Sequence, residues 1–158
     1  MAVRAIPEGQ ETAVPYLVVQ DAAGAIDFYK RAFGATENAR MVGPDNRVGH
    51  AEIKIGKAAI FLADEYPEMG YVSPKTIGPK RSPVGIHIYV EDVDALHKRA
   101  VAAGAKSLRE PEDQFYGDRN SQLEDPSGHL WFFATHKEDV SPAEMKKRME
   151  EAFKAERK

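Results

Sequence analysis

Two histidines and one glutamate are the side chains best suited to chemistry in this sequence. His50 and Glu52 lie two residues apart in HAEIKI, and His87 lies in GIHIYV. Two imidazoles and a carboxylate could bind zinc, iron or nickel if their ligand atoms met at one point. His87 could instead act as a general base, with Glu52 orienting its ring. A structural role, in which the three groups bond to one another or to water, is also open.

Further aromatic and charged side chains could contact a small molecule. Tyr16, Tyr89 and Phe132 offer rings for stacking, and the two tyrosines add hydroxyl groups. Lys54 follows in the same segment as the first histidine. Arg119, in YGDRN, either lines the mouth of a cavity or forms an ion pair with the preceding aspartate.

Strand alternation places most of these candidates on one side of a sheet. Successive strand residues point to opposite faces, so His50, Glu52 and Lys54 share one face of their strand. The other face is aliphatic, as is the matching face of the segment that holds His87. A helix follows each opening strand and must cover an apolar surface, so we expect the aliphatic faces beneath the helices. The opposite faces mix aromatic rings with a few polar groups, which is typical of a ligand cavity.

A repeated pattern supplies the elements that position these faces. Residues 14–35 and 85–105 each read as a short apolar strand, an aspartate at a helix N-cap, about three helical turns and a glycine. Three strand-like segments follow each helix. The sequence therefore predicts an α+β fold of two tandem βαβββ modules, at about 12–64 and 83–137. Residues 65–82, rich in proline and glycine, are predicted to be a loop that joins the modules.

The chain is expected to form a single domain over residues 1–140 and a separate amphipathic helix over 141–158. Ser141 suits an N-cap, and Pro142 suits the first helical position. A narrow apolar stripe runs along this helix through Met145 and Met149. We expect the helix to pack on its own chain, with contact to a second subunit as the alternative.

Three other side chains are assigned structural roles. His97 lies on a helix among charges and is predicted to be solvated. His129 follows the DPSG turn and is predicted to stabilise that hairpin. Trp131 has the opposite strand parity to Phe132, so it is expected in the core.

Composition excludes several classes of function. The 158 residues carry a net charge of −3 and no basic stripe, which disfavours nucleic-acid binding. No apolar run approaches the length of a membrane span, and no signal peptide is recognised at the N-terminus. The absence of cysteine excludes disulfides, thiolate zinc sites and cysteine nucleophiles. We expect a cytoplasmic protein with no membrane or nucleic-acid partner.

Several motifs resemble those of the vicinal oxygen chelate superfamily. The paired modules, the helix AIDFYKRAFGA, and EDPSGHLWFFATH after YGDR are similar to its glyoxalase, bleomycin-resistance and dioxygenase members, most of all to the PhnB-like branch. The resemblance implies a curved half-barrel of sheet around a cavity, a small-molecule ligand and a homodimer.

Enzymes of that superfamily hold a divalent metal through histidine and glutamate, and the resemblance implies where those ligands would fall. The four positions are Val14, Gly85, Phe61 or Leu62, and Phe132. None of these side chains can coordinate a metal, so we expect no cofactor at the usual positions. The leading prediction is a protein that binds a small aromatic or cationic molecule. The alternative is a metal-dependent lyase, isomerase or dioxygenase with a relocated site at His50, Glu52 and His87.

Overall fold

The protein consists of two βαβββ modules followed by a helix, as seen in a computed structural model that describes residues 3–156. The first module contains β1 (Tyr16–Val19), α1 (Ala22–Phe33), β2 (Thr36–Val42), β3 (Val48–Ile55) and β4 (Ala58–Asp64). The second contains β5 (Gly85–Tyr89), α3 (Val93–Ala103), β6 (Lys106–Asp113), β7 (Asp118–Glu124) and β8 (Leu130–His136). The segment between them holds a 3-10 turn (Pro67–Met69) and the one-turn helix α2 (Pro74–Ile77), and α4 (Pro142–Glu156) follows.

Each module forms its own four-stranded sheet. The strand orders are β1-β4-β3-β2 and β5-β8-β7-β6, and the first strand of each module runs parallel to its neighbour while the other pairs are antiparallel. The predicted α+β fold of tandem modules is therefore confirmed. Within one chain the two sheets are separate, and their joining into one half-barrel around a cavity, which the resemblance implies, stays a prediction.

Matching caps define the two long helices. The Asp21 carboxylate accepts a hydrogen bond from the Gly24 backbone N–H at 3.0 Å, and Asp92 does the same for Ala95 at 2.9 Å. Gly34 ends α1 in the left-handed conformation, with φ of 68°. A side chain with a Cβ seldom adopts that conformation, so the helix stops where the sequence places its glycine.

Both sheets bury their aliphatic face in one core around α1 and α3. Ile53 and Leu62 of the first sheet are fully buried, and each contributes roughly 1.5–3 kcal/mol to folding. Phe33 of α1 reaches the second sheet, where its ring centroid lies 4.8 Å from those of both Trp131 and Phe133. The parity prediction that put Trp131 in the core is confirmed.

A buried carboxylate joins the two modules inside this core. The Asp125 Oδ2 atom accepts hydrogen bonds from the Tyr29 hydroxyl at 2.6 Å and from the Trp131 indole at 2.9 Å. Its Oδ1 atom accepts from the backbone N–H groups of Ser127 at 2.9 Å and His129 at 3.0 Å. Four donors therefore satisfy one buried charge, and Tyr29 is the donor that the first module supplies. Burial followed by the charge and hydrogen bond of Asp125 raises the pKa of Tyr29 well above its ordinary value.

The structure corrects two sequence predictions, one about His97 and one about the segment between the modules. His97 was expected to be solvated, but only 3% of it is exposed, because α3 turns it toward β6. Its Nε2 atom lies 3.0 Å from Ser107 Oγ and 3.3 Å from a carboxylate oxygen of Glu110. The segment expected to be a plain loop at 65–82 contains a helical turn whose N-cap, Ser73, is fully buried.

The final helix contacts the segment before it through Arg148, and its apolar stripe is partly exposed. Arg148 makes two contacts of 2.9 Å with Glu138 and one of 3.0 Å with Glu144. Met149 and Phe153 remain exposed. None of the helices within residues 3–156 has the length and apolar character required to span a bilayer.

We predict that removal of the Asp125 carboxylate destabilises the fold strongly. Asp125→Ala leaves four buried donors without their acceptor, so the free energy of unfolding is expected to fall by about 3 kcal/mol or more in urea denaturation. Tyr29→Phe removes one donor and is expected to cost about 2 kcal/mol. Asp45→Ala is the matched control, since Asp45 contacts Arg47 at the surface. Equal urea midpoints for Asp125→Ala and Asp45→Ala would contradict this account.

Candidate functional site

The first sheet presents a mixed polar and aromatic surface on the side away from the helices. We call this surface face 1; it consists of Tyr16, His50, Glu52, Lys54 and Phe61. Strand register aligns Tyr16 of β1 with Phe61 of β4, and Phe61 with Glu52 of β3. Their neighbours Ala51 and Ile53 point into the core, as alternation predicts.

A chain of hydrogen bonds runs across face 1. The Tyr16 hydroxyl lies 2.7 Å from His50 Nδ1, and His50 Nε2 lies 3.1 Å from Glu52 Oε1. In a neutral imidazole, the Nε2–H group donates a hydrogen bond to the carboxylate, and Nδ1 accepts a hydrogen bond from the tyrosine hydroxyl. Burial and then the Glu52 charge raise the pKa of Tyr16, so its hydroxyl keeps that proton. The arrangement can orient a polar ligand group or relay a proton.

The second sheet presents a similar surface. We call it face 2; it consists of His87, Tyr89 and Phe132. His87 is paired in register with Phe132, and its ring meets that of Tyr89 edge to face at 4.9 Å. Both His87 and Tyr89 are exposed. His87, Tyr89 and Phe132 therefore share one surface, whereas Tyr16 and His50 lie on the other sheet.

Sequence reasoning missed the partner that fixes Tyr89. The Tyr89 hydroxyl donates to Asp118 Oδ2 at 2.7 Å, and His136 Nδ1 lies 2.8 Å from Asp118 Oδ1. Burial alone would raise the pKa of Asp118, but the bonds from Tyr89 and His136 outweigh it and hold the pKa below its ordinary value. His136 also bonds through Nε2 to Asp139 at 2.9 Å, and its hydrogen bonds to Asp118 and Asp139 raise its pKa above the ordinary value. Strand alternation gives His136 the same parity as Phe132, and this signal could have placed His136 near face 2.

Arg119 lies away from both faces. Its guanidinium makes a two-pronged contact with Asp94 of α3, at 2.7 and 2.8 Å, and a further contact with Asp113 at 3.1 Å. The alternation of β7 explains this position, because Arg119 and Asp118 point to opposite faces. Asp118 and Arg119 therefore do not form the ion pair that the sequence allowed.

The positions implied by resemblance to be metal ligands do not suit a metal. Phe132 packs its ring over Gly85, and a Cβ atom at Gly85 would collide with that ring. Phe61 lies on face 1 beside Tyr16, with ring centroids 5.9 Å apart, whereas Leu62 is buried in the core. Aromatic carbon thus occupies the space that a coordinating side chain would need.

Within one chain, faces 1 and 2 do not meet. Each sheet packs its aliphatic face on the shared core, so each mixed face is turned away from that core. His50 and Glu52 contact each other, while His87 contacts Tyr89 on the other sheet. Among residues 3–156, no group of three or more histidine or acidic side chains is placed to hold a metal ion.

Comparison with known proteins agrees with this architecture. An uncharacterized protein of Mycobacterium tuberculosis is 41% identical over 138 residues, which cover 85% of this chain and 80% of that protein. The X-ray structure of a gene product from Arabidopsis thaliana is similar with a TM-score of 0.62 and 26% identity, covering 78% of this chain and 97% of the other.

A more distant solved structure shares the fold alone. It is the fosfomycin resistance protein FosX from Listeria monocytogenes, complexed with Mn(II) and sulfate, with a TM-score of 0.60 and 18% identity. The alignment covers 84% of this chain and 94% of FosX. The family model described as "Glyoxalase/Bleomycin resistance protein/Dioxygenase superfamily" matches residues 11–133, which is most of the chain. The chain therefore belongs to the glyoxalase/bleomycin resistance protein/dioxygenase superfamily.

Proposed function

We propose that this protein binds a small aromatic or cationic organic molecule between face 1 and face 2, and that the two faces come from different copies in a homodimer. The proposal is carried by the exposure and the hydrogen bonding of two tyrosines. Tyr16 is 51% exposed and Tyr89 is 59% exposed, yet a hydrogen bond fixes the hydroxyl of each. Their rings are thus oriented without being covered.

Oriented, uncovered rings favour a ligand with a flat apolar part. Covering an aromatic ring contributes a favourable free energy of roughly 25 cal/mol for each Å² of apolar surface removed from water. Stacking between two rings adds about 0.5–1.5 kcal/mol. Because hydrogen bonds already hold the side chains, little rotamer entropy is lost on binding. Phe132 supplies a third ring, partly covered by the sheet.

The charged groups support a cationic part in the ligand. Glu52 contributes a carboxylate to face 1, and Asp118 lies beneath Tyr89 at face 2. Lys54, exposed at the end of the face 1 row, would contact an acceptor at the other end of the molecule. His50 and His87 would supply hydrogen bonds on either side.

A second copy of the chain is needed because one chain keeps its two faces apart. A two-fold axis that sets face 1 of one copy against face 2 of the other creates two equivalent sites. Each would be closed on both sides, whereas either face alone is an open surface.

We place the protein in the PhnB-like branch on the AIDFYKRAFGA and DPSGH motifs of the sequence.

A metal-dependent enzyme remains the second candidate, and one observation favours it. His50 and Glu52 already lie 3.1 Å apart on face 1, so His87 from a second copy would complete a relocated metal site. In that case Glu52, which keeps a second carboxylate oxygen, would also serve as the acid–base group of a lyase, isomerase or dioxygenase.

We predict that binding depends on both tyrosines. A calorimetric screen of aromatic antibiotics is expected to give heat with at least one compound. Tyr16→Ala and Tyr89→Ala should each weaken its binding about tenfold or more, since each loses one stacking surface. Lys98→Ala, on the exposed side of α3, is the control and should bind like the wild type. Heat from no compound, or equal loss in the control, would count against the proposal.

Mixing the two tyrosine variants tests the composite site. A heterodimer of Tyr16→Ala and Tyr89→Ala chains has one intact site and one doubly altered site. Free exchange of subunits makes about half of the dimers heterodimers, and each heterodimer has one intact site out of two. Roughly a quarter of the number of sites found in the wild-type protein should therefore bind with full affinity. Calorimetry gives the number of sites and analytical ultracentrifugation the dimer mass. No recovery in a mixture proven to contain heterodimers would place the site within one chain.

Elemental analysis separates the two candidate functions. Protein purified without a histidine tag is expected to contain less than stoichiometric zinc, nickel or iron, because the usual ligand positions carry no coordinating side chain. Stoichiometric metal that disappears in His87→Ala would overturn the proposal in favour of the enzyme. Lys54→Ala is a suitable control, since the relocated site does not use that side chain.

A further inference from the structure

The segment between the modules builds a pocket beside face 1. Tyr66 and Tyr71 form a small backbone bridge, with N–H to carbonyl distances of 2.8 and 3.1 Å in the two directions. The 3-10 turn at Pro67–Met69 lies between them. A cavity of about 600 Å³ separates this segment from β1 and β4. That volume suits a ligand of one or two rings.

The walls of the pocket are mostly apolar and partly uncovered. Six aliphatic, aromatic or thioether side chains line them, Tyr16, Val18, Ala63, Tyr66, Met69 and Tyr71, together with Gly49 and Asp64. Met69 is 68% exposed and Tyr71 is 55% exposed, so the segment has not collapsed onto the sheet. Tyrosine faces attract cations, and a methionine adapts to the shape of a ring.

The charge around the pocket is negative. Asp64 is the charged side chain in its wall, and its oxygens accept hydrogen bonds from the backbone N–H groups of Ala22 and Val48, both at 2.6 Å. The Arg47 guanidinium lies 3.9 Å from the centroid of the Tyr66 ring and is matched by Asp45 and Glu68, each at 2.7 Å. A cation in the pocket would therefore meet a carboxylate and no unmatched positive charge.

The Tyr16 hydroxyl gives the pocket an acceptor. With His50 Nε2 bonded to Glu52, the proton of Tyr16 points at His50 Nδ1. The lone pairs of the hydroxyl oxygen are then left to accept from a ligand. An ammonium group is a donor and no acceptor, so it fits both this oxygen and the charge of Asp64.

We propose that this pocket binds a compact primary amine that carries one ring, with its ring against Met69 and Tyr71 and its ammonium group toward Asp64 and the Tyr16 oxygen. The inference rests on the proposed function only through Tyr16, which belongs to both sites. All the walls come from one chain, so the pocket does not require a dimer. Protonated amines are therefore the ligand class that we assign to this side of face 1.

Two probes of the same shape test the amine. The 2-phenylethylammonium ion and the neutral 2-phenylethanol are titrated separately into ¹⁵N-labelled full-length protein. The ammonium probe is expected to shift the backbone amide signals of Gly49, Ala63 and Tyr71 and to bind at least about ten times more tightly than the alcohol. Equal affinity for both probes, or no shift at these amides at millimolar concentration, would overturn the inference.

Variants distinguish this pocket from the composite site. A Cβ at Gly49 would lie 3.7 Å from the Tyr66 hydroxyl, so Gly49→Val should fill the cavity and abolish binding of the ammonium probe. Met69→Ala and Tyr71→Ala alter exposed side chains and should each weaken the probe several-fold, which keeps the test valid if Gly49→Val fails to fold. Tyr89→Ala should leave the probe unaffected while it impairs the composite site. Probe binding lost in Tyr89→Ala but kept in Tyr71→Ala would refute the pocket.

Discussion

The buried Asp125 carboxylate is the constraint on which the arrangement of this protein depends. A charge taken from water into a core costs several kcal/mol unless hydrogen bonds replace its hydration. Here the four replacements come from the turn, from Trp131 of β8 and from Tyr29 of α1. Satisfying the charge therefore requires both modules to be in place, which fixes α1 against the second sheet. The shared core then turns both mixed faces outward.

Outward-facing surfaces explain why the chemical groups of this chain are only partly covered. On face 1, Tyr16 and Glu52 are positioned through His50, and on face 2, Tyr89 is positioned through Asp118. Each tyrosine thus has a fixed hydroxyl and a free ring. Such a group gains contact area when a ligand or a second chain covers it, and it has little freedom left to lose. The same core that stabilises the monomer therefore prepares surfaces that one chain cannot close.

Local pattern was enough to predict the modules and the composition of both faces. Alternation separated His50 from Ile53 and Phe132 from Trp131, and a single aspartate and glycine marked each helix. Local pattern gives no measure of burial depth, although the helical spacing of Val93, Leu96 and Ala100 does put His97 on the buried face of α3. It also has no access to pairs formed by folding, such as the 34 residues that separate Tyr16 from its histidine. Which side chains share each face was predictable from the sequence, whereas the separation of the two faces within one chain and the bonds that tune their groups were not.

The segment between the modules is ordered by the same turn that holds Asp125. The Lys75 backbone N–H donates to the Ser127 carbonyl at 3.0 Å, and the Gln20 N–H reaches the Ser127 hydroxyl at 3.2 Å. Closer to β4, a Glu65 carboxylate oxygen accepts from the Ser73 N–H at 2.7 Å. These bonds anchor residues 65 and 73–75, and the stretch between them lies beside β1, where Tyr66, Met69 and Tyr71 line the pocket with Tyr16 and Val18. The pocket beside face 1 thus results from the way the modules are joined. Its outer wall is the part of the connecting segment that stays exposed outside the core, at Met69 and Tyr71.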